Sequence, residues 1–365
     1  MPIGTAVPML HSTDLYRPHD DPDDHWDLAC VFALANAGKV DLRVMIDYPQ
    51  LTAEPEFKAT DPDILGVAQL NYLTGQAVPV SIGLRRPMRS RHDAIPEATP
   101  SEDSGVVALL RLLRESPRPV VINVVGSCLS VAVAGKREPA LFSEKCAAIY
   151  LNAGVGSADR TKAAKLEWNV SLNPSAYAAI FDLPCPVYWM PCFEELSDHP
   201  RGLMGYGTFY KFPQSEILPH LSPHLRNYFA WMYKTGGIHW RRDKFKEPGT
   251  EDCDWLRYLL GPNDETLLAR ERTNSRACWC TAGFFHATGQ TVARDGRIIS
   301  LADSGDDAVF TFEPIRVQCS DAGVTEWTKD AESKDRFIFR VLDLEGYDAA
   351  MATAMRSLLQ KIADG

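Results

Sequence analysis

The sequence predicts an α/β fold: a doubly wound, mainly parallel sheet flanked by helices, with helical insertions and a small carboxy-terminal strand and helix segment. Three observations carry this. Short β-branched runs such as residues 40–46 (VDLRVMI) and 119–125 (PVVINVV) are apolar nearly throughout, as strands covered on both faces are. They alternate with helical patterns rather than hairpin turns. Asp14, Asp47, Gly126 and Asn152 each follow such a run, which sets them outside the carboxyl ends of the strands, where ligands bind in this architecture.

Taken in order, residues 6–11 (AVPMLH) read as the first strand and residues 28–35 as a helix apolar almost all round, hence buried. The strand at 40–46 follows, then a helix over 62–73 and a strand over 77–82. Residues 83–101, rich in Pro, Arg and polar side chains, form a long loop, and Arg85, Arg86, Arg89 and Arg91 within it read as a solvated run. An amphipathic helix over 106–114 leads into the strand at 119–125. Helical patterns at 129–134 and 139–142 precede a strand at 147–151, and a helix at 174–181 precedes a strand at 186–190. Residues 193–262 read as insertions over the sheet, with a helix at 221–234. A helix is expected from Ala277 onward, short strands over 310–341, and a last helix over 347–362. No linker divides the chain, so residues 1–365 read as a single domain.

Composition bounds the function. With 38 basic and 48 acidic residues the net charge is −10, which offers no electrostatic footprint for nucleic acid or an anionic membrane surface. No run of about 18 apolar residues occurs. The nine cysteines form no C-x-x-C pair and several lie in apolar patterns, including the Cys278-Trp279-Cys280 segment, which reads as core. That usage fits a reduced, cytoplasmic protein.

The chain is organised on residues 12–35. Asp14, Asp20, Asp21, Asp23, Asp24 and Asp27 fall within fourteen residues, between a strand end and a helix start. Capping the helix and complementing its dipole accounts for two or three of them. Two carboxylates held about 4 Å apart repel by roughly 4 kcal/mol at an effective dielectric near 20, so a folded cluster of this kind calls for a cation. Carboxylate oxygens suit calcium or magnesium.

The acidic loop (TD at 13–14, DPDD at 21–24), the turn GSCLSVAVA from Gly126, the turn Asn152-Ala153-Gly154 and LEWNVSLNPSAY from Leu166 occur in an order that resembles the nucleoside hydrolase family of the inosine-uridine-preferring type. The late helix GFFHATG is similar to that family's helix bearing a His-Asp pair. The resemblance implies a calcium ion held by Asp14, Asp24 and the backbone carbonyl of Leu129, with Asp21 among the surplus acids able to add a ligand. It implies Asp23 as the base that activates water, His286 as the acid for the leaving base, and Glu167, Asn169 and Asn152 on the ribose. Asp47, at its own strand end, is a further candidate for substrate. The partner is then a small nucleoside or N-riboside, and the assembly a homo-oligomer.

Three departures stand out. Ser12 replaces the first aspartate of the family's opening, the loop after Asp14 is longer, and Ala287 follows His286 where the family carries a metal-binding aspartate. Ala287 supports an alternative, a catalytically degraded relative that binds a sugar-like ligand without turnover. A magnesium-dependent phosphohydrolase would use the same aspartates, but the sequence has no Gly-rich phosphate loop.

Overall fold

The computed structural model describes residues 6–15, 22–48, 62–96, 99, 101–195, 205–235 and 254–363. In chain order, β1 (Val7–Thr13), α1 (Pro22–Asn36), β2 (Val40–Ile46), α2 (Leu65–Thr74), β3 (Val80–Ile82), α3 (Ser104–Glu115), β4 (Val120–Val124), α4 (Leu129–Arg137), α5 (Pro139–Lys145) and β5 (Cys146–Asn152) make the regular half. Short helices α6 (Arg160–Ala163), α7 (Trp168–Leu172) and α8 (Pro174–Ile180) lead to β6 (Val187–Met190). Then come β7 (Tyr210–Pro213), α9 (Pro223–Thr235), α10 (Trp255–Leu259), α11 (Glu265–Arg272), β8 (Ser275–Cys278), α12 (Thr281–Ala287), β9 (Gln290–Val292) and β10 (Ile298–Ser300). The chain ends with β11 (Phe310–Cys319), β12 (Thr325–Lys329), β13 (Arg336–Val341) and α13 (Tyr347–Leu359).

Nine strands form one sheet in the order β12-β11-β13-β6-β5-β4-β1-β2-β3. From β3 to β13 every neighbouring pair is parallel, and β11 and β12 add an antiparallel edge. The strand order reverses between β1 and β4. In a doubly wound sheet that reversal opens a crevice at the carboxyl ends of the two strands.

Alternate residues of β1 feed the two cores. Met9 joins a cluster with α1, α2, α9, α12 and α13, and Leu10 joins one with α3, α4, α5 and α8. Every residue of β4 is buried, as expected of a central parallel strand. Helix α1 begins earlier than its apolar run. Pro22 sets the first turn and Asp23 and Asp24 complement the dipole there, while everything from Asp24 to Ala35 is buried. Trp26 stacks on Phe229 with centroids 4.0 Å apart and meets Phe212 edge-on at 5.4 Å.

The segment from Ala277 departs from the helical reading. Residues 275–278 are β8, paired with β7, and the helix runs only from Thr281 to Ala287 before β9. Its aromatic and small residues fit a helix, but strand pairing at both ends overrides propensity. The loop after β3 is irregular as expected, yet Arg91 is no solvated charge. Its guanidinium donates to Asp182 (2.8 and 2.9 Å) and to the carbonyls of Ala178 (3.0 Å) and Cys319 (2.6 Å), joining the loop to α8 and β11.

Phe32 is fully buried at the centre of α1. Phe32→Ala is expected to cost about 3–5 kcal/mol of stability, read by urea denaturation.

Candidate active site

The crevice at the β1/β4 reversal is where the amino-terminal acids gather. Asp14 follows β1 and is 1% exposed, Asp24 is 2% exposed and Asp27 is 0% exposed. The Thr13 hydroxyl donates to Asp24 Oδ2 at 2.5 Å, and the Asp14 amide reaches the same oxygen at 3.3 Å. Burial raises the Asp24 carboxyl well above the usual carboxylate range, and the charges of Asp14, Asp23 and Asp27 raise it further, as does a hydrogen bond with the Asp14 carboxyl. Burial likewise raises Asp27, against the Cys280 thiol and Thr281 hydroxyl beside it. Asp23, half-buried in the first turn of α1, acts on both. Asp21 lies outside the described residues.

Gly126 explains how β4 comes so close. A Cβ there would stand 2.5 Å from Asp14 Cγ, so the turn after β4 passes against the carboxyl only because that residue is glycine.

Asn152, Glu167 and Asn169 form one network along the next strand end. Asn152 donates to the Met190 carbonyl (2.9 Å) and to the Thr208 hydroxyl (3.0 Å). Glu167 accepts from the amides of Gly154 (2.8 Å) and Asn169 (2.9 Å), capping α7. Asn169 Nδ2 donates to the carbonyls of Val125 and Asn152, both at 3.0 Å, which ties the ends of β4 and β5 together. Burial raises the Glu167 carboxyl, opposed by those backbone amides.

Cysteines read as core fill the gaps in this constellation. Cys280 donates to Asn152 Oδ1 at 3.0 Å, and its sulfur lies within 4.8 Å of oxygens of Asp24 and Asp27. Cys192 feels Glu167, Asp23 and Asp24, and Cys128 feels Glu167, Asp47 and Asp14; burial first and those carboxyls second push both thiols up. Only the sequence proximity of Cys280 to the helix at Thr281 hinted at any of this.

The late helix therefore meets the acids through Cys280, just before its first residue, and not through Ala287. His286 is not brought to the acids. It lies half-buried among Tyr150, Tyr188 and Phe312 (centroids 5.8, 5.1 and 4.5 Å), with Nδ1 2.7 Å from the Tyr150 hydroxyl, and burial lowers its pKa to about 4. Leu129 opens α4, where helical geometry turns its carbonyl toward the amide four residues on. Asp47 is fully buried and accepts from the Ser130 hydroxyl and amide, while a Cβ at Gly83 would overlap its Oδ1. It fastens β2 to α4.

Burial pushes Asp47 from 3.8 up to about 7 against the hydrogen bonds from Ser130. The folded chain thus keeps a proton that the unfolded chain has already released. Stability from this group is full below its unfolded value of 3.8 and is lost as pH rises through about 7. Asp47→Asn is expected to gain on wild type steadily over that window, read by urea denaturation at successive pH values; a constant difference contradicts it. Gly126→Ala is expected to cost about 1–3 kcal/mol by crowding Asp14, measured the same way.

Comparison with known proteins fits this geometry. No protein-family model matches the chain. A stretch of 199 residues is 27% identical to the pyrimidine-specific ribonucleoside hydrolase RihA of Citrobacter koseri, covering 50% of this chain and 59% of the relative. RihA of Salmonella arizonae is 25% identical over the same length, with the same coverage. The chain thus matches less than two thirds of these relatives. Among solved structures, the effector protein XOO4466 superposes with a TM-score of 0.54 at 14% identity, over 97% of this chain and 94% of that one. A plant nucleoside hydrolase gives 0.52 at 13% identity, over 97% and 99%. Those structural similarities are of fold: the chain has the fold of the nucleoside hydrolases, and half of its length is similar in sequence to pyrimidine-specific ribonucleoside hydrolases.

Proposed function

We propose that the chain is a divalent-cation-dependent hydrolase of N-glycosidic bonds in ribonucleosides or related N-ribosides. The observation that carries this reading is the gathering of Asp14, Asp23, Asp24 and Asp27 at the strand-order reversal, three of them buried. Asp27 fits the need for a cation, since its carboxylate is fully buried with the Cys280 thiol and the Thr281 hydroxyl as its neighbours. Asp14 and Asp24 are oxygen donors of the type calcium takes, whereas the Leu129 carbonyl is turned along α4. A bound cation supplies one thing, a lowered pKa for a water beside it.

The chain's own residues supply the rest. Asp23, the most accessible of the four acids, would take the proton from the water that attacks the anomeric carbon. The neighbouring carboxylates stabilise positive charge that develops on the sugar as the N-glycosidic bond lengthens. Glu167 and Asn169 already brace the ends of β4 and β5; in this reading Asn169 Oδ1 binds a ribose hydroxyl, while Glu167, which accepts from three amides and the Cys192 thiol, and Asn152 hold that edge in place. Phe193, Phe209 and Trp279, which follow or precede Cys192, Thr208 and Cys280 and pack 5.5–5.7 Å apart, offer an apolar wall for a planar base. In this reading protonation of the base does not fall to His286, whose ring is lodged among Tyr150, Tyr188 and Phe312. A small molecule is the partner, and the resemblance makes a dimer or tetramer the expected assembly. The eight described cysteines are free and buried, in keeping with the reducing cytoplasm.

A second reading, ligand binding without turnover, is favoured by Ala287, which stands where the resemblance places a metal-binding aspartate. Ribose release from a panel of nucleosides, with and without chelator, separates the two. Release that stops on chelation is expected; metal-dependent thermal stabilisation without release supports the binder. Asp23→Asn is expected to slow release by roughly 100- to 10,000-fold with the fold intact by circular dichroism, and unchanged rates remove Asp23 from the role of base. Asp14→Ala is expected to weaken cation binding, read by titration calorimetry.

A further inference from the structure

The donor set in the crevice is not all oxygen. One oxygen each of Asp24 and Asp27 and the sulfur of Cys280 lie within 4.8 Å of one another, and all three side chains are buried. Asp27 is an independent sign of a missing ligand. Neither of its carboxylate oxygens reaches solvent and neither makes a hydrogen bond of good geometry among the described residues, with the Cys280 thiol and Thr281 hydroxyl alongside. Buried carboxyls ordinarily have their lone pairs satisfied, and a weak thiol donor with a hydroxyl shared with Tyr210 leaves this one short of partners.

We propose that Cys280 is a metal ligand and that Asp24, Asp27 and Cys280 together take a thiophilic divalent cation, zinc foremost, in preference to calcium. The proposal rests on the cation-dependent reading above and specifies its ion. Calcium takes six to eight hard oxygen donors and gains little from sulfur, whereas a thiolate selects zinc from among the abundant divalent ions. Held by these three alone, a tetrahedral ion would keep its fourth position for water, the arrangement of catalytic rather than structural zinc, and Asp14 would act on it through its hydrogen bond with Asp24. On binding, the sulfur–hydrogen bond of Cys280 breaks, a sulfur–metal bond forms, and the proton leaves to solvent. The hydrogen bond from Cys280 to Asn152 Oδ1 is lost in the same event, which couples ion binding to the end of β5.

The test uses the full chain stripped of metal and titrated separately with zinc, cobalt(II), calcium and magnesium. Zinc and cobalt are expected to raise the unfolding temperature more than calcium at equal concentration, and cobalt to give a thiolate-to-cobalt charge-transfer band in the near ultraviolet. Cys280→Ser should lose that band and weaken zinc binding by more than about 100-fold, the upper range for removing an outer partner of a metal ligand. Cys146→Ser, at the opposite end of β5, should keep both. Cys280→Asp should reverse the preference toward calcium. A cobalt complex of the wild-type chain without the band, or equal stabilisation of it by calcium and zinc, overturns the proposal whether or not any variant folds. Ribose release measured in the same samples keeps the two readings apart. Activity restored by calcium and not by zinc overturns the thiol assignment and leaves the hydrolase standing. Zinc binding with the band, and no release from any nucleoside, supports the site and ends the hydrolase.

Discussion

Carboxyl groups crowded into a low-dielectric crevice are the constraint on which the rest of this structure depends. Asp14, Asp24 and Asp27 are each nearly or fully buried, and the charges acting on Asp24 are other acids. Such a group is tolerable only if protons or a cation relieve it. The fold fixes these acids from several directions at once: β1 supplies Asp14, α1 supplies Asp23, Asp24 and Asp27, Thr13 holds Asp24 by its hydroxyl, and Gly126 lets the turn after β4 close against Asp14. Repulsion of that size, held in place by rigid elements, makes the crevice selective for positive charge.

Around that centre the polar network serves position before recognition. Glu167 and Asn169 satisfy backbone groups at the ends of β4 and β5, and Asn152 reaches β6 and Thr208. Asp47 fastens α4 to β2 through Ser130. Because each of these side chains is itself hydrogen-bonded to main chain or to a neighbour, the rim is held to a fixed geometry, which is what a site for a polar ring with several hydroxyls requires.

Most of the sheet was legible in the sequence because buried parallel strands are written as nearly continuous apolar runs. VDLRVMI and PVVINVV became β2 and β4 within a residue at either end. The acids at strand ends were legible for the same reason: they interrupt such runs. The roles of α12 were not. Pairing of β8 with β7 across more than sixty residues decides where that helix starts, and no local pattern records it. As a result Cys280, indistinguishable in sequence from a packing cysteine, lies beside Asp24 and Asp27, while His286 lies in the last turn of α12 among aromatic rings. Arg91 was equally opaque, since a guanidinium bound to two distant carbonyls looks like any charge in a polar loop.

Arg91 also bears on the order in which the molecule is assembled. Its contact with the Cys319 carbonyl joins residues 228 positions apart, and its carboxylate partner lies in a third segment. Closure of so long a loop has to be met before the contact gives any return. The Arg91 contacts of the segment after β3 can therefore be completed only once the antiparallel margin of the sheet is in place.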